Sequence, residues 1–278
     1  MAKSVLITGC SSGGIGAALA HRFQRSSDYT VFVTAREVSK IDAGLRDCDN
    51  VHVIPLDVTS HMQIQAAVAE VASRTGGRLD ILINNAGLNY TTPVLDTDIV
   101  RAEALFKTNV WGPVLLTQSF APLLLKAGGT VANVSSIAGV LNTPYMGIYG
   151  ASKTALTLLS ETLRLEMEPL GVKVLTIVAG NVHTQFWTGE KEVSLPSGSK
   201  YEAILQTIND AATGKLSGDR HTPASQFSDQ LFTAIDKGQS GVVWQGALAG
   251  SVRWITKFMP QWALDKALSN GRGLDKLR

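Results

Sequence analysis

Short apolar runs rich in β-branched residues alternate along the chain with longer stretches that have the apolar spacing of helices. Apolar runs without alternating polar residues predict strands buried on both faces. The predicted strands are Ser4–Thr8, Thr30–Thr34, Val51–Leu56, Leu79–Ile83, Thr130–Val134, Val172–Val178 and Gly241–Trp244. The predicted helices are Ile15–Phe23, His61–Ala72 and Tyr149–Leu170. This alternation predicts an α/β protein with one doubly wound parallel sheet.

One compositional break interrupts this pattern. The segment Glu190–His221 is polar and contains several Ser and Gly residues, with a predicted helix at Tyr201–Ala212. Because it follows a predicted strand, at a position where α/β enzymes commonly carry loops that cover a substrate, we expect a lid insertion at about residues 185–222. The whole chain, residues 1–278, is therefore predicted to be a single domain.

The C-terminal tail is rich in tryptophan and has an apolar part at about residues 250–270. Its apolar residues recur at helical spacing and are Val252, Ile255, Phe258, Met259 and Trp262. Such a stripe is compatible with packing on the domain's own core, closure over a pocket, a subunit interface or contact with a lipid surface. The sequence leaves these alternatives open.

The composition narrows the class of protein. With 45% hydrophobic and 17% charged residues, the 278-residue chain does not resemble a disordered protein. Its net charge of +2 and the lack of a basic block argue against nucleic-acid binding. Two cysteines are too few for a disulfide scaffold, and no apolar run reaches the length of a membrane span. No signal peptide precedes the first strand, so we expect a cytoplasmic protein.

A glycine-rich turn follows the first predicted strand directly. Residues Thr8–Gly16 read Thr-Gly-Cys-Ser-Ser-Gly-Gly-Ile-Gly and lead into a predicted helix. Glycine permits a tight turn and lets backbone N–H groups approach a pyrophosphate, which the helix dipole also attracts. An ordinary flexible turn is the alternative, but a position between strand and helix favours nucleotide binding.

The second predicted strand is followed by Arg36, twenty positions after Gly16. An acidic residue near this position binds the ribose hydroxyls of NAD, whereas an arginine suits the additional phosphate of NADP. A guanidinium pairs with a phosphate through its planar fork of donors. We therefore predict NADP(H) as the cofactor; the alternative is a surface arginine next to Glu37.

Tyr149 and Lys153 lie four residues apart and share one face of a predicted helix. A phenol has a pKa near 10, and a neighbouring ammonium lowers that pKa by favouring the phenolate. Ser136, thirteen residues upstream of Tyr149, follows a predicted strand and could donate a hydrogen bond to a substrate carbonyl. Tyrosine and lysine at this spacing are common on helix surfaces, so only the combination indicates acid–base catalysis.

Together these motifs resemble those of the short-chain dehydrogenase/reductase family. The shared residues, spread over about residues 3–184, are Thr8-Gly9, Gly14-Ile15-Gly16, Asp57-Val58, Asn84-Asn85-Ala86-Gly87, Asn109, Ser136, Tyr149 and Lys153. The resemblance implies a Rossmann fold and an oxidoreductase that transfers hydride between a nicotinamide and a C=O or CH–OH group. It also implies a homo-oligomer, and no metal is expected.

The resemblance further implies a role for each matching residue. Tyr149 would exchange a proton with the substrate oxygen, and Lys153 would lower the pKa of this tyrosine and hold the nicotinamide ribose. Ser136 would orient the carbonyl, and Asn109 would anchor a water of the proton relay. The implied cofactor contacts are Gly9, Ser11, Ser12, Gly14, Ile15, Gly16, Arg36, Asp57, Val58, Asn85, Ala86, Gly87, Tyr149, Lys153, Val182 and Thr184.

The chain departs from the family pattern at two turns. Four residues separate Gly9 from Gly14, where the family usually has three, so the turn must absorb an extra residue. After the sixth predicted strand the chain has Ala179-Gly180 where the family usually has Pro-Gly. We expect the loss of this proline to loosen the turn without removing a catalytic group.

Within the family, the chain resembles fungal NADPH-dependent reductases of 1-acyldihydroxyacetone phosphate. The similarity lies in Ile7–Gly16, Ile148–Lys153, Leu163–Pro169, Trp244–Gly246, Pro260–Leu268 and Leu274–Lys276. It implies reduction of an apolar or acylated ketone, with Lys191, Lys200 and Arg220 as candidates for binding a phosphate, and it is compatible with peripheral contact to a lipid or endoplasmic reticulum surface. The alternatives are a ketone of fungal polyketide or terpenoid metabolism and a non-catalytic NADPH-binding sensor or scaffold.

Overall fold

The apolar runs form strands that lie side by side in one parallel sheet. The structure is a computed structural model and describes residues 2–186 and 192–277. The strands are β1 (Lys3–Ile7), β2 (Tyr29–Ala35), β3 (Val51–Pro55), β4 (Ile81–Asn84), β5 (Thr130–Ser136), β6 (Lys173–Ala179), β7 (Val182–His183), β8 (Thr222–Pro223) and β9 (Gly241–Gln245). The main sheet has the order β3-β2-β1-β4-β5-β6-β9, and every neighbouring pair is parallel. The predicted fold class is thus confirmed.

Helices cover both faces of this sheet. They are α1 (Ile15–Gln24), α2 (Ala43–Arg46), α3 (His61–Thr75), α4 (Ile99–Phe106), α5 (Gly112–Ala127), α6 (Gly147–Met167), α7 (Leu205–Ala212), α8 (Ala224–Asp236), α9 (Ala249–Phe258) and α10 (Gln261–Ser269). On one face α1 and α8 bury Phe23 and Leu231 against the strands. On the other face α3 and α5 bury Ile64 and Phe120. The central strands β1, β4, β5 and β6 are therefore buried on both sides, as their sequences require.

The described residues of the predicted lid insertion, 185–186 and 192–222, lie outside the main sheet. β7 and β8 pair in parallel with each other, so that they bring the two ends of this insertion together. Between them, α7 buries Ile208 and Ala211 in a small apolar cluster with Tyr145 and Val193. The helix predicted at residues 201–212 is confirmed, with a 3₁₀ turn at Glu202–Ile204 before α7.

The tail packs on the core along one side only. Val252 on α9 is buried in a cluster with Val178 of β6. By contrast, the side chains of Trp254, Phe258 and Trp262 are 62%, 71% and 72% exposed, and the rings of Trp254 and Phe258 stack with centroids 5.6 Å apart. None of the helices in the described part of the chain is long and apolar enough to cross a bilayer.

Candidate functional site

The carboxyl ends of the central strands open into one cavity of about 730 Å³. Most residues that the sequence predicts for the site line this cavity: Gly9, Ser11, Ser12, Gly14, Ile15, Arg36, Asp57, Val58, Asn85, Ala86, Gly87, Ser136, Tyr149, Lys153, Val182 and Thr184. Gly16 and Asn109 were also predicted, but they are not among the described residues that line it. The structure therefore brings the separate motifs together at one end of the sheet, where open α/β folds bind ligands.

The glycine turn absorbs its extra residue at Gly13. Gly13 has φ +74° and Gly9 has φ +72°, both in the left-handed region that glycine adopts without strain. α1 still begins at Ile15, after Gly14 as its N-cap, and Gly14 has no side chain that could cap the helix. The first N–H groups of α1 thus lie at the cavity, an arrangement that fits the pyrophosphate of a dinucleotide.

Asn85 fixes the glycine turn from behind. Its Nδ2 donates to the carbonyls of Thr8 and Gly9 at 2.8 and 3.1 Å. The Thr8 hydroxyl in turn accepts from the N–H groups of Asn85 and Ala86, both at 3.0 Å. A β-carbon on Gly16 would contact the Gly9 carbonyl and approach Asn85 Nδ2 to 2.6 Å. Gly16 therefore allows close packing of α1 on the turn; the sequence analysis did not identify Thr8 as part of this support.

Tyr149, Ser136 and Lys153 converge at the opposite end of the cavity. Tyr149 and Lys153 are only 7% and 5% exposed. The Ser136 side chain interacts with the Tyr149 phenol and acts to lower its pKa. Lys153 Nζ donates to the Val134 carbonyl at 2.9 Å and lies 5.8 Å from the centroid of the Tyr149 ring. The tyrosine is thus held between a hydroxyl and an ammonium.

Burial dominates the pKa values of this pair. It raises the pKa of Tyr149 to about 12, although the hydrogen bond with Ser136 acts in the opposite direction. Burial also lowers the pKa of Lys153 to about 8. Lys153 is not among the causes of this shift, so the lowering of the Tyr149 pKa by Lys153 that the resemblance implied stays a prediction. Near neutral pH the tyrosine holds its proton, which is the form that a proton donor requires.

Asn109 lies behind the cavity wall, in a π-helical turn (Lys107–Trp111) between α4 and α5. Its side-chain amide is hydrogen-bonded to both backbone groups of Leu88 and to the Ser152 hydroxyl. Leu88 lines the cavity. The side chain of Asn109 therefore positions the wall, and its predicted role in anchoring a water stays a prediction.

The cavity is also lined by Arg36, Lys40 and Asp57, of which Arg36 and Asp57 were predicted as cofactor contacts. Arg36 is exposed directly after β2. The sequence analysis missed Lys40, whose Nζ pairs with Glu37 at 2.7 Å. Oδ1 of Asp57 accepts from the N–H and the hydroxyl of Thr59, at 2.8 and 2.7 Å, which fixes the carboxylate at the cavity edge.

The turn that lacks the family's proline is held by hydrogen bonds instead. The N–H groups of Gly180 and Asn181 donate to the carbonyls of Gln245 and Ala247, at 2.8 and 2.9 Å. The loosening expected from the sequence is therefore offset by the end of β9 and the segment that follows it. Beyond this turn, the ring of Phe186 lies 6.0 Å from that of Tyr149, a contact that no sequence motif indicated.

The cations that the sequence offered for a phosphate do not gather at the cavity. Lys200 and Arg220 are exposed and are not among the described residues that line it, and Lys191 lies outside the described residues. Arg272, which belongs to none of the motifs used above, does line it.

Comparison with known proteins assigns the family. The family model for short chain dehydrogenases matches residues 3–193. The chain belongs to the short-chain dehydrogenase family. One curated member, Short-chain dehydrogenase ptmH of Penicillium ochrochloron, is 42% identical over 263 residues, which covers 95% of each chain.

Solved structures of short-chain dehydrogenases share the whole fold. One from Streptomyces avermitilis is 28% identical and covers 99% of each chain with a TM-score of 0.80. One from Burkholderia cenocepacia in complex with NADP is 25% identical, with a TM-score of 0.69 over 96% of this chain and 97% of its own. One from Burkholderia phymatum in complex with NAD is 25% identical, with a TM-score of 0.75 over 91% and 92%. This short-chain dehydrogenase is an oxidoreductase, and its structural neighbours bind either NADP or NAD.

Proposed function

We propose that this short-chain dehydrogenase is an NADPH-dependent carbonyl reductase that converts an apolar or acylated ketone into a secondary alcohol. The observation that supports it is the cavity, which has the glycine turn and Arg36 at one end and the buried Tyr149–Lys153 pair at the other. A sensor or scaffold that binds NADPH without turnover has no need for a tyrosine buried between a serine and a lysine.

The residues present fit the proposed cofactor. The N–H groups at the start of α1 would bind the pyrophosphate, and Arg36 would pair with the additional phosphate of NADP. Asp57 and Val58 would contact the adenine side, whereas Lys153, Val182 and Thr184 would hold the nicotinamide riboside. When bound, the nicotinamide supplies the hydride.

The protein's own contribution is to orient the carbonyl and to deliver a proton. Ser136 donates a hydrogen bond to the carbonyl oxygen and so fixes it beside the Tyr149 hydroxyl. As negative charge develops on this oxygen, the proton of the Tyr149 hydroxyl moves to it, and the O–H bond of the alcohol forms. The ammonium of Lys153 stabilises the tyrosinate that remains.

The cavity wall supports an apolar substrate. Leu141, Met146, Leu216, Leu248 and Leu268 line the cavity. This wall suits an acylated dihydroxyacetone phosphate as well as a polyketide or terpenoid ketone. Because Lys200 and Arg220 are not among the described lining residues, they give no support for a phosphate ester, and the acyl phosphate and the other ketones stay alternatives.

Steady-state oxidation of NADPH against a ketone panel tests the proposal. The panel contains an acyl-dihydroxyacetone phosphate, its non-phosphorylated analogue and several bulky apolar ketones, with NADH in parallel. We expect turnover with NADPH and at least one of these ketones. Turnover of none of them, or a preference for NADH, contradicts the proposal.

Two surfaces support further proposals for this enzyme. The exposed Trp254, Phe258 and Trp262 lie close in sequence to Arg253 and Lys257, a combination that suits peripheral contact with an anionic lipid surface. Flotation with anionic and neutral vesicles tests this contact, and the predicted cytoplasmic location is compatible with it. Leu158 and Leu165 are exposed on α6 and support a homo-oligomer, which sedimentation tests.

A further inference from the structure

The lid insertion and the tail both contribute to the cavity wall. Ala211 and Leu216 come from the insertion, whereas Leu248 and Leu268 come from the tail. The wall also contains the half-buried Arg272, from the segment after α10. A half-buried charged group is stable only where polar groups contact it, so the partners of Arg272 determine what else it can bind.

Arg272 is held in place by two hydrogen bonds, and the glycine after it packs closely on the lid insertion. Its carbonyl accepts from the Tyr145 hydroxyl at 2.5 Å, and its Nη2 donates to the Leu216 carbonyl at 3.4 Å. The next residue, Gly273, has φ +75°, and a β-carbon there would lie 3.1 Å from Cγ2 of Ile204. Arg272 is thus fixed against the loop before α6 and against the lid insertion. These contacts orient its side chain before any ligand binds.

The guanidinium retains donors and charge for a ligand. Burial lowers the pKa of Arg272, but a guanidinium stays protonated at neutral pH. Among residues 2–186 and 192–277, no carboxylate forms an ion pair with it. Its planar fork of N–H groups, of which one bonds Leu216, matches the geometry of a carboxylate or a phosphate.

We propose that Arg272 binds an oxyanion of the substrate, so that the ketone carries a carboxylate or a phosphate monoester besides its apolar part. The inference rests on the reductase function proposed above and adds the substrate class of the same site. Arg272 thereby takes the role for which the sequence analysis considered Lys200 and Arg220, two exposed cations away from the lining.

Calorimetry in the presence of NADPH tests this inference without turnover. The probes are phenylbutyrate, phenylbutyl phosphate and the neutral phenylbutanol. We expect at least one anion to bind the wild type about 10-fold more tightly than the alcohol, and Arg272→Gln to lose this preference. The preferred anion distinguishes an acid from a phosphate ester. Equal binding of all three probes, or an unchanged preference in Arg272→Gln, overturns the inference.

Two matched variants separate charge from packing. Arg220→Gln removes an exposed cation outside the cavity lining and is expected to keep the preference. Arg272→Lys keeps the positive charge but lacks the planar fork of N–H donors, and it is expected to retain part of the preference for the anion. A melting curve for each variant shows whether it is folded. Loss of the preference in Arg220→Gln as well would assign the effect to overall charge and contradict a site at Arg272.

Kinetics then distinguish this inference from the proposed function. We expect kcat/KM for a keto acid or keto phosphate to exceed that for its neutral ester or alcohol about 10-fold, and this ratio to fall towards one in Arg272→Gln. If the enzyme turns over ketones but does not prefer the anionic one, the proposed oxyanion site is contradicted and the proposed reductase function stands. Anion binding without turnover of any ketone overturns the reductase and leaves the oxyanion site.

Discussion

The side chain of Asn109 binds both backbone groups of Leu88: Oδ1 accepts from its N–H at 2.8 Å, and Nδ2 donates to its carbonyl at 2.9 Å. Nδ2 also donates to the Ser152 hydroxyl at 3.1 Å. Since Leu88 lines the cavity and Ser152 lies on α6 next to Lys153, one buried amide joins the cavity wall to the helix that carries Tyr149.

Replacement of this amide is expected to destabilise the fold. Asn109→Ala leaves the N–H and the carbonyl of Leu88 without partners, at a cost of about 2–4 kcal/mol in the free energy of unfolding. Urea denaturation measures this change. Asn142→Ala, at an exposed position, is the control and is expected to change stability by less than about 0.5 kcal/mol. Equal stability of the two variants contradicts the positioning role of Asn109.

The extra residue of the glycine turn provides a second test. Gly13→Ala forces a left-handed backbone on alanine and brings its β-carbon within 2.7 Å of the Gln185 side chain. We expect a loss of about 1–2 kcal/mol in stability and weaker NADPH binding, measured by denaturation and fluorescence titration.

Gly250→Ala is the matched control for the glycine turn. Gly250 lies on α9, and its built β-carbon has no neighbour within 4 Å. This change is expected to be neutral or to stabilise by up to about 1 kcal/mol. If both variants bind NADPH like the wild type, Gly13 has no part in shaping the cofactor turn.

Cofactor preference depends on Arg36 in this account. Arg36→Ala is expected to raise KM for NADPH about 10–100-fold, because it removes a charge-assisted contact with the additional phosphate. KM for NADH should rise far less, since NADH lacks that phosphate. Arg46→Ala, an exposed arginine on α2, controls for overall charge. An equal rise in KM for NADPH and NADH in Arg36→Ala would mean that Arg36 does not bind the additional phosphate of NADPH.

The pH profile of reduction follows from the buried Lys153. Its pKa of about 8 means that the ammonium charge is present below pH 8 and is lost as the pH rises through 8. Tyr149, with a pKa of about 12, keeps its proton over this range. Because proton donation leaves a tyrosinate that the ammonium stabilises, we expect kcat/KM for reduction to fall above about pH 8. Rates measured between about pH 6 and 10 test this fall.

Lys153→Arg is the matched variant for that profile. Its guanidinium keeps the charge over the whole range, so the fall near pH 8 should disappear even if the rate is lower throughout. A profile with the same fall in both proteins would assign the titration to a different group.

The sequence predicted those parts of the fold in which apolar residues form a continuous run or recur at regular spacing. The seven strands of the main sheet were predicted from their apolar runs, and the predicted ends lie within a few residues of the observed ends. α5 was not predicted; it contains Pro113 in its first turn and Pro122 in its interior, where proline is rare in helices. The tail was read as one stripe, but Pro260 separates α9 from α10, and the exposed tryptophans face away from the core.

The residues of the candidate site also fall into two groups: those identified by local spacing and those that only the fold brings to the cavity. Tyr149 and Lys153 were identified because their spacing is local. Arg272 was missed because it reaches the cavity only through the fold, by contacts with Tyr145 and Leu216 that are 127 and 56 residues away in sequence. The direction of the Tyr149 pKa shift was also missed, because it depends on how deeply the phenol is buried, and the spacing of residues along the chain does not show burial.

The most direct test of the central claim compares the wild type with Tyr149→Phe in NADPH oxidation and in NADPH binding. Phenylalanine keeps the buried ring and removes the proton. We predict that the wild type oxidises NADPH with an apolar ketone, and that Tyr149→Phe lowers kcat about 100-fold or more while binding NADPH with a similar Kd. Turnover by Tyr149→Phe at the wild-type rate would contradict the assignment of Tyr149 as the proton donor.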